Sequence, residues 1–447
     1  MFLDLRWQPN KKVLFIVPEL STVFPNSVDD SEYVDVIHPP LGVLYLSSYC
    51  KAKGFKTFIA DQMSIDRMPE SDLINLIQFE QINVVGISCT MSAVFEKALR
   101  YAELCKRLGC ITILGGAHIS ATVSSSATYS AVDIVAFGEG EETWAELLNC
   151  LFENKTIEGI RGIAYKNFDG TIIVEDRRPL IKNLDSIPFP DYDGINAKHY
   201  ADLGALGIIT SRGCANHCSF CTSICTWGQR VRFRSPQNIM DEIDWIVEKY
   251  HYSGKELLFY DDNFTLNKKR VIDFCTLLQQ RKYKIKWKCM SRVTGIDYDM
   301  FYVMKQAGCR SVSFGFESGV ERSLELMGKG IKLSDIENAI EICVKSGIEA
   351  YGYFIIGYPW ETKQDFDTTV DFIISHPQIN PALNFLTPYP GTTFYEEPEK
   401  WGISIDKNWN RYTNLSVVMT SQNYSTQDLF DAYTRYLLYM EERQNGT

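Results

Sequence analysis

Cys214, Cys218 and Cys221 lie in the stretch GCANHCSFC at the spacing C-x-x-x-C-x-x-C. Thiolates this close along a chain bind soft metals, and the question is which. Incidental clustering of buried thiols is disfavoured, because the three stand among Gly213 and the polar Asn216 and form no apolar helical stripe. A structural zinc, completed by His217 or Cys225, would ordinarily draw on two separated cysteine pairs and close all four positions. No second pair follows at a matching distance. Three cysteines on one loop suit a cubane iron–sulfur cluster whose fourth iron is left to an outside ligand, although such clusters usually take a fourth cysteine. Cys50, Cys89, Cys105, Cys110, Cys150, Cys275, Cys289, Cys309 and Cys343 are scattered singly and read as buried thiols that behave as small hydrophobes.

The elements that must position this loop are βα units. Short β-rich apolar runs alternate with helical patterns through the first 150 residues, the pattern of a parallel sheet. Strands are expected at Val13 to Val17, Thr57 to Ala60, Val84 to Ser88, Ile111 to Leu114 and Ile134 to Phe137. Helices are expected near Gly42 to Lys53, Ser71 to Phe79, Ala93 to Leu108, Ile119 to Tyr129 and Glu141 to Phe152. Five of each make a doubly wound, flavodoxin-like Rossmann domain, which takes ligands beyond the carboxyl ends of its strands. Glycines mark two of those ends, in GGAH (Gly115 to His118) and GEGE (Gly138 to Glu141). Over 151–200 the pattern loosens into a linker with a β-hairpin turning at Asp169-Gly170. A second βα series over 201–393 opens at LGIITSRG and suits a partial (β/α)6 barrel, with chemistry at the carboxyl ends of its strands. Its first helix starts at Ser235 with Pro236 in the first turn. Residues 394–447 form an aromatic, amphipathic C-terminal region with no fold evident from pattern.

Composition bounds the function. The 447 residues are 45% hydrophobic and 23% charged, a globular balance large enough for two or three domains. A net charge of -11 argues against a phosphate backbone as main partner, so no nucleic acid is expected. The longest apolar runs stop well short of the roughly 20 residues a membrane span needs, and the start lacks the layout of a secretory signal. A cytoplasmic location is the expectation.

With these residues in view the chain resembles the radical SAM enzymes, whose C-x-x-x-C-x-x-C loop follows the first barrel strand. The resemblance implies that Cys214, Cys218 and Cys221 ligate a 4Fe-4S cluster whose open iron is chelated by S-adenosyl-L-methionine, with Phe220 at the aromatic position of the loop. Cys225 falls outside the pattern and reads as a thiol with no ligand role. Further matches imply S-adenosylmethionine contacts: Tyr260, Asp261, Asp262 and Asn263 in FYDDNFT, Arg292 in CMSR, Glu317 and Ser318 in FGFESG, and Gly357 in YFIIGYPWET. The family often has Pro-Gly-Glu-Thr where this chain has Pro359-Trp360-Glu361-Thr362, so Trp360 either narrows a substrate opening or packs.

A doubly wound domain ahead of such a barrel resembles the cobalamin-binding subfamily, and HPPLGVLYLSSYCKAKGF, ILGGAHIS and VAFGEGEET match it in order. The resemblance places Ser88, Gly115, Gly116, His118, Gly138 and Glu139 around cobalamin. The D-x-H-x-x-G motif is absent, since Val36-Ile37 precede His38 and the spacing to Gly42 is one residue too long. Base-off cobalamin without a protein imidazole on cobalt is therefore implied. The implied reaction is methyl transfer to an unactivated carbon by way of a 5'-deoxyadenosyl radical and methylcobalamin. Cyclisation, ring contraction or oxidation with the same parts is the alternative, and a non-catalytic cobalamin or iron–sulfur sensor the third. Implied partners are a small-molecule or peptide substrate and a flavodoxin- or ferredoxin-like electron donor.

Overall fold

A computed structural model of the chain describes residues 11–20, 38–64 and 66–445. Most of the chain start weighed as a signal, and Val36-Ile37, thus lie outside the described residues. The chain divides into two compact units, Met1–Gly207 with Thr222–Gly228, and Ile208–Cys221 with Gln229–Thr447.

The first unit is built on β1 (Lys12–Val17), β2 (Lys56–Asp61), β3 (Val84–Ser88), β4 (Ile111–Gly115), β5 (Ile134–Ala136), β6 (Ile163–Lys166) and β7 (Ile172–Val174). Their order in the sheet is β2-β1-β3-β4-β5-β6-β7, and the first five run parallel. This is the flavodoxin-like order expected from the alternation. Helices cover both faces, so the central strands are apolar along their whole length rather than at alternate residues. Phe15, Val84, Ile113, Ile134 and Trp144 belong to one core. Trp144 meets Phe15 edge-on at 5.0 Å, and a Cβ on Gly86 would lie 2.4 Å from its ring, which is why the middle strand carries a glycine there.

Three expectations are corrected. The helix expected over 119–129 is two short ones, Ala117–Ala121 and Val123–Ser126, broken at Thr122. There the Thr122 hydroxyl donates to the His118 carbonyl at 2.8 Å and pairs with Ser126 at 2.9 Å, side-chain bonds that compete with a continuous helix. The helix expected from Ala93 opens as a 3-10 turn, Ser92–Val94, and becomes α-helical at Phe95. The hairpin assigned to a linker instead extends the sheet, β6 pairing antiparallel with β5 and β7 with β6, so residues 151–200 are not merely a connection. Tyr192 continues this tie, its hydroxyl donating to the Gly207 carbonyl at 2.6 Å.

The second unit holds a six-stranded sheet in the order β15-β14-β13-β12-β11-β8. Its strands are β8 (Gly207–Ile208), β11 (Glu256–Phe259), β12 (Lys286–Ser291), β13 (Cys309–Glu317), β14 (Glu349–Ile356) and β15 (Ile379–Phe385), with β11 to β15 paired parallel. Neighbours in space are neighbours in sequence, as in an open partial barrel. Two short strands, β9 (Ser211–Arg212) and β10 (Arg232–Phe233), pair antiparallel on either side of the cysteine loop. The helix Pro236–Tyr250 starts as expected, with the Ser235 hydroxyl accepting from the Asn238 amide at 3.2 Å.

The C-terminal region, unassigned from sequence, adds an antiparallel pair, β16 (Ile403–Ile405) with β17 (Met419–Ser421), and the helix Thr426–Asn445. That helix packs on Lys363–Ser375: Arg435 pairs with Asp371, and the Tyr436 hydroxyl reaches the Pro381 carbonyl at 3.0 Å. Its aromatic residues are thus used in closing the barrel edge.

Candidate cluster and cofactor sites

The loop carrying the three cysteines leaves β9 at Gly213, whose φ of 97° only glycine adopts without strain. Cys214 and Cys218 are half-buried and Cys221 is exposed. The loop is pinned to Met327, whose carbonyl accepts from the amide and the hydroxyl of Ser219 at 3.1 Å each. Phe220 is edge-on to Tyr358 at 6.0 Å. Burial pushes the Cys218 thiol up, while Lys329 and Arg292 pull it down. Arg292 lies 4.0 Å from the Cys218 sulfur and also donates to the Lys329 carbonyl. Two cations beside a half-buried sulfur suit a ligand that becomes a thiolate. Among the described residues no three Cys, His, Asp or Glu side chains converge as they would on a single ion.

Several strand-end residues are bonded into the fold. Asp261 is fully buried and accepts from the Thr210 amide (2.6 Å), the Thr210 hydroxyl (2.5 Å) and the Ser211 hydroxyl (2.6 Å). With Arg270 at 3.5 Å as counter-ion, its carboxylate ties strand ends together. Asn263 orders the turn, its side-chain oxygen accepting from Thr265 (3.3 Å) and the Arg292 amide (3.4 Å). Ser318, also fully buried, pairs with Thr369 at 3.2 Å and accepts from the Val320 amide. Both backbone groups of Gly357 are taken, by Glu361 (3.0 Å) and the Tyr424 hydroxyl (2.6 Å). Tyr260 and Arg292 are half-buried, Asp262 is exposed, and Glu317 pairs with Lys329. Trp360 packs: it stacks on Tyr358 at 5.1 Å and touches Phe394 and Trp401.

In the first unit, Ser88, Gly115 and Ala136 stand abreast in register across β3, β4 and β5. Three small residues in a row at carboxyl ends leave the room a large flat ligand requires. Gly116, with φ of 118°, lets the chain pass Cys89, whose carbonyl oxygen a Cβ would meet at 2.5 Å. The Gly138 amide donates to Ser120 at 2.9 Å. His118 is buried beneath Phe95, bonded to Ser92 at 2.8 Å and pushed down to about 4 by burial, so it is a neutral packing group. The Glu139 carboxylate accepts from the Ile181 amide at 2.8 Å and anchors the segment after the hairpin.

Sequence reading missed Lys329, Arg270, Glu361 and Arg177. Lys329 had a signal, since Gly328 and Gly330 on either side both adopt positive φ. Glu361, in the Pro-Trp-Glu-Thr match, accepts from the Gly357 and Tyr358 amides at 3.0 Å and from Ser323 at 2.8 Å, so it braces the turn. Arg177 donates to the carbonyls of Cys225 (2.6 Å) and Thr226 (2.5 Å), which places Cys225 with the first unit.

A fold of this order with a three-cysteine loop after the first barrel strand defines a class. The chain belongs to the radical SAM superfamily, whose model matches residues 208–373, and a B12 binding domain matches residues 32–148. Its cofactors are a 4Fe-4S cluster, S-adenosylmethionine and cobalamin. It is similar to an uncharacterised methyltransferase of Pyrococcus horikoshii, 34% identical over 427 residues, covering 94% of this chain and 90% of the relative. It is also similar to the anaerobic magnesium-protoporphyrin IX monomethyl ester cyclase of Rubrivivax gelatinosus, 27% identical over 373 residues, covering 80% of this chain and 66% of that one. Among solved structures, the radical S-adenosylmethionine methyltransferase TsrM from Kitasatospora setae, with cobalamin and a [4Fe-4S] cluster bound, shares the fold. The TM-score is 0.76 at 16% identity, with 95% of this chain and 91% of that one covered.

Proposed function

We propose that the protein is a cobalamin-dependent radical SAM methyltransferase that methylates an unactivated carbon of a small molecule or peptide. The observation that carries this is the match to a methyltransferase along nearly its whole length, together with a three-cysteine loop flanked by Arg292 and Lys329. When bound, the cluster with S-adenosylmethionine supplies hydrogen-atom abstraction, and cobalamin supplies the methyl group. The chain's own part is binding, charge placement and water exclusion. Cys214, Cys218 and Cys221 hold the cluster, Arg292 faces the Cys218 sulfur, and Tyr260, Asp262 and Glu317 line the barrel mouth. Ser88, Gly115, Gly116 and Gly138 would line the space for cobalamin, and the D-x-H-x-x-G motif is absent. An acid–base pair is not required, which agrees with Asp261, Glu361 and Glu139 being bound into the scaffold.

The cyclase-like reading is supported by similarity to anaerobic cyclases at 25 to 27% identity, of which this chain covers 66 to 72%. A flavodoxin- or ferredoxin-like donor is the proposed electron source, approaching from the exposed Cys221 side of the loop. Among the described residues no helix is long and apolar enough to cross a membrane. The test is anaerobic turnover on fractionated cell metabolites with methyl-labelled S-adenosylmethionine, cobalamin and a reductant. Label in a product together with 5'-deoxyadenosine is expected; 5'-deoxyadenosine with an altered but unlabelled product would favour cyclisation.

A further inference from the structure

Lys329 is buried in the second unit, yet nothing about the cysteine spacing calls for it. Its ammonium pairs with the Glu317 carboxylate and donates to the Gly315 carbonyl at 2.6 Å. Its own carbonyl accepts from Arg292, the residue 4.0 Å from the Cys218 sulfur. Two residues earlier, the Met327 carbonyl pins Ser219 in the middle of the cysteine loop, and Gly328 lies 3.6 Å, measured from an ideal Cβ, from the His217 carbonyl. The stretch 327–329 is therefore the floor of the loop, and Lys329 is the charge set into that floor.

Three features show that the pair is built and not incidental. Glu317 holds a left-handed backbone, φ 67°, which a non-glycine residue adopts only when its surroundings enforce it. The pairing register of β13 with β14 shifts between Gly315 and Glu317, turning the carboxylate toward Lys329. Glycine at residue 315 leaves the pair its place, because a Cβ there would lie 2.1 Å from the Glu317 carboxylate and 2.5 Å from the Lys329 ammonium and displace both. A strained residue, a strand irregularity and a glycine that leaves room all serve one ion pair.

We propose that the Lys329–Glu317 pair is an electrostatic positioning device for the cluster, which sets the reduction potential of a cluster held at Cys218. The inference rests on the cluster assignment made above. A cation at the floor favours the more negative reduced cluster and an anion opposes it, and burial keeps solvent from screening either. With both present the loop experiences near-balance, and Arg292 supplies the net positive charge.

The test is a dye-mediated redox titration of the anaerobically reconstituted full-length protein, followed by paramagnetic resonance of the reduced cluster. Lys329→Met leaves Glu317 unpaired and should move the midpoint to lower potential. Glu317→Gln leaves Lys329 unpaired and should move it to higher potential. The double variant should return close to the unmodified value, and Lys329→Arg should hold it. Because the double variant and Glu317→Gln bury no lone carboxylate, they keep the test decisive if Lys329→Met does not fold. Midpoints that coincide in Glu317→Gln, the double variant and the unmodified protein would overturn the proposal, as would a Lys329 effect confined to S-adenosylmethionine affinity. Failure of the unmodified protein to take up any cluster would instead overturn the assignment on which the proposal rests.

Discussion

Replacing Asp261 by Ala separates a strut from a ligand contact. Asp261 accepts three short hydrogen bonds from Thr210 and Ser211 and neutralises Arg270, all in an interior without solvent. Arg270 also donates to the Thr210 carbonyl (3.0 Å) and the Phe264 carbonyl (3.1 Å), so it stays buried when its counter-ion is removed. Removing one partner of such a pair costs about 3–5 kcal/mol. For a unit of roughly 230 residues, about 2–4 °C of melting temperature accompany each kcal/mol, so the unfolding step of the second unit should fall by roughly 6 to 20 °C. Differential scanning calorimetry of the purified chain reads this directly, and isothermal titration of S-adenosylmethionine at a temperature where the variant is still folded reads the other possibility. If melting were unchanged while affinity fell tenfold or more, about 1.4 kcal/mol, Asp261 would be a ligand contact and the strut argument would be wrong.

Four further outcomes are expected. Replacing Cys214, Cys218 and Cys221 together by Ala should abolish the cluster absorbance of reconstituted protein, whereas Cys225→Ala, in a segment belonging to the first unit, should keep iron content at the unmodified level. Burial pushes the Glu361 carboxyl from an ordinary 4.5 up to about 7, so its contribution favours the fold at low pH and is lost as pH rises from 4.5 through 7. Glu361→Gln should remove that slope, worth roughly 3 kcal/mol over the window, and parallel stability profiles for variant and unmodified protein would contradict it. His38→Ala and His118→Ala should each retain cobalamin, with no imidazole coupling lost from its paramagnetic spectrum. Gly315→Ala, whose new Cβ would collide with both Glu317 and Lys329, should destabilise the second unit in a thermal melt by more than an ordinary Gly-to-Ala exchange does.

The parts of the fold legible in the sequence were those with local causes. The apolar runs at Val13, Val84, Ile111 and Ile134 are strands because parallel strands buried on both faces carry no alternation to obscure them. Ser235 and Pro236 announced a helix through capping chemistry that needs no tertiary partner. What was illegible depends on contacts distant in the chain. The hairpin at Asp169-Gly170 was visible, but nothing in it says that β6 will join β5. Asp261 and Tyr260 are adjacent at a strand end and look equally available, yet the loop at Thr210 and the helix at Arg270 claim the aspartate. Glu139 was claimed by Ile181 across 42 residues in the same way. The cysteine spacing named the cluster loop, while the floor beneath it, at Met327 to Lys329, lies more than a hundred residues further on.

The short excursion Thr222–Gly228 bears on how this architecture can be taken apart. The chain enters the second unit at Ile208, gives up seven residues to the first unit immediately after Cys221, and returns at Gln229. Arg177 holds those residues by two main-chain carbonyls at the end of a five-residue helix too short to persist alone. No single cut therefore yields two self-sufficient pieces, and a chimaera joined at residue 207 would inherit a cluster loop whose exit was shaped for a different partner. Exchange of cobalamin modules between such enzymes, in the laboratory or in evolution, should succeed only when the segment after the third cysteine travels with the module that holds it.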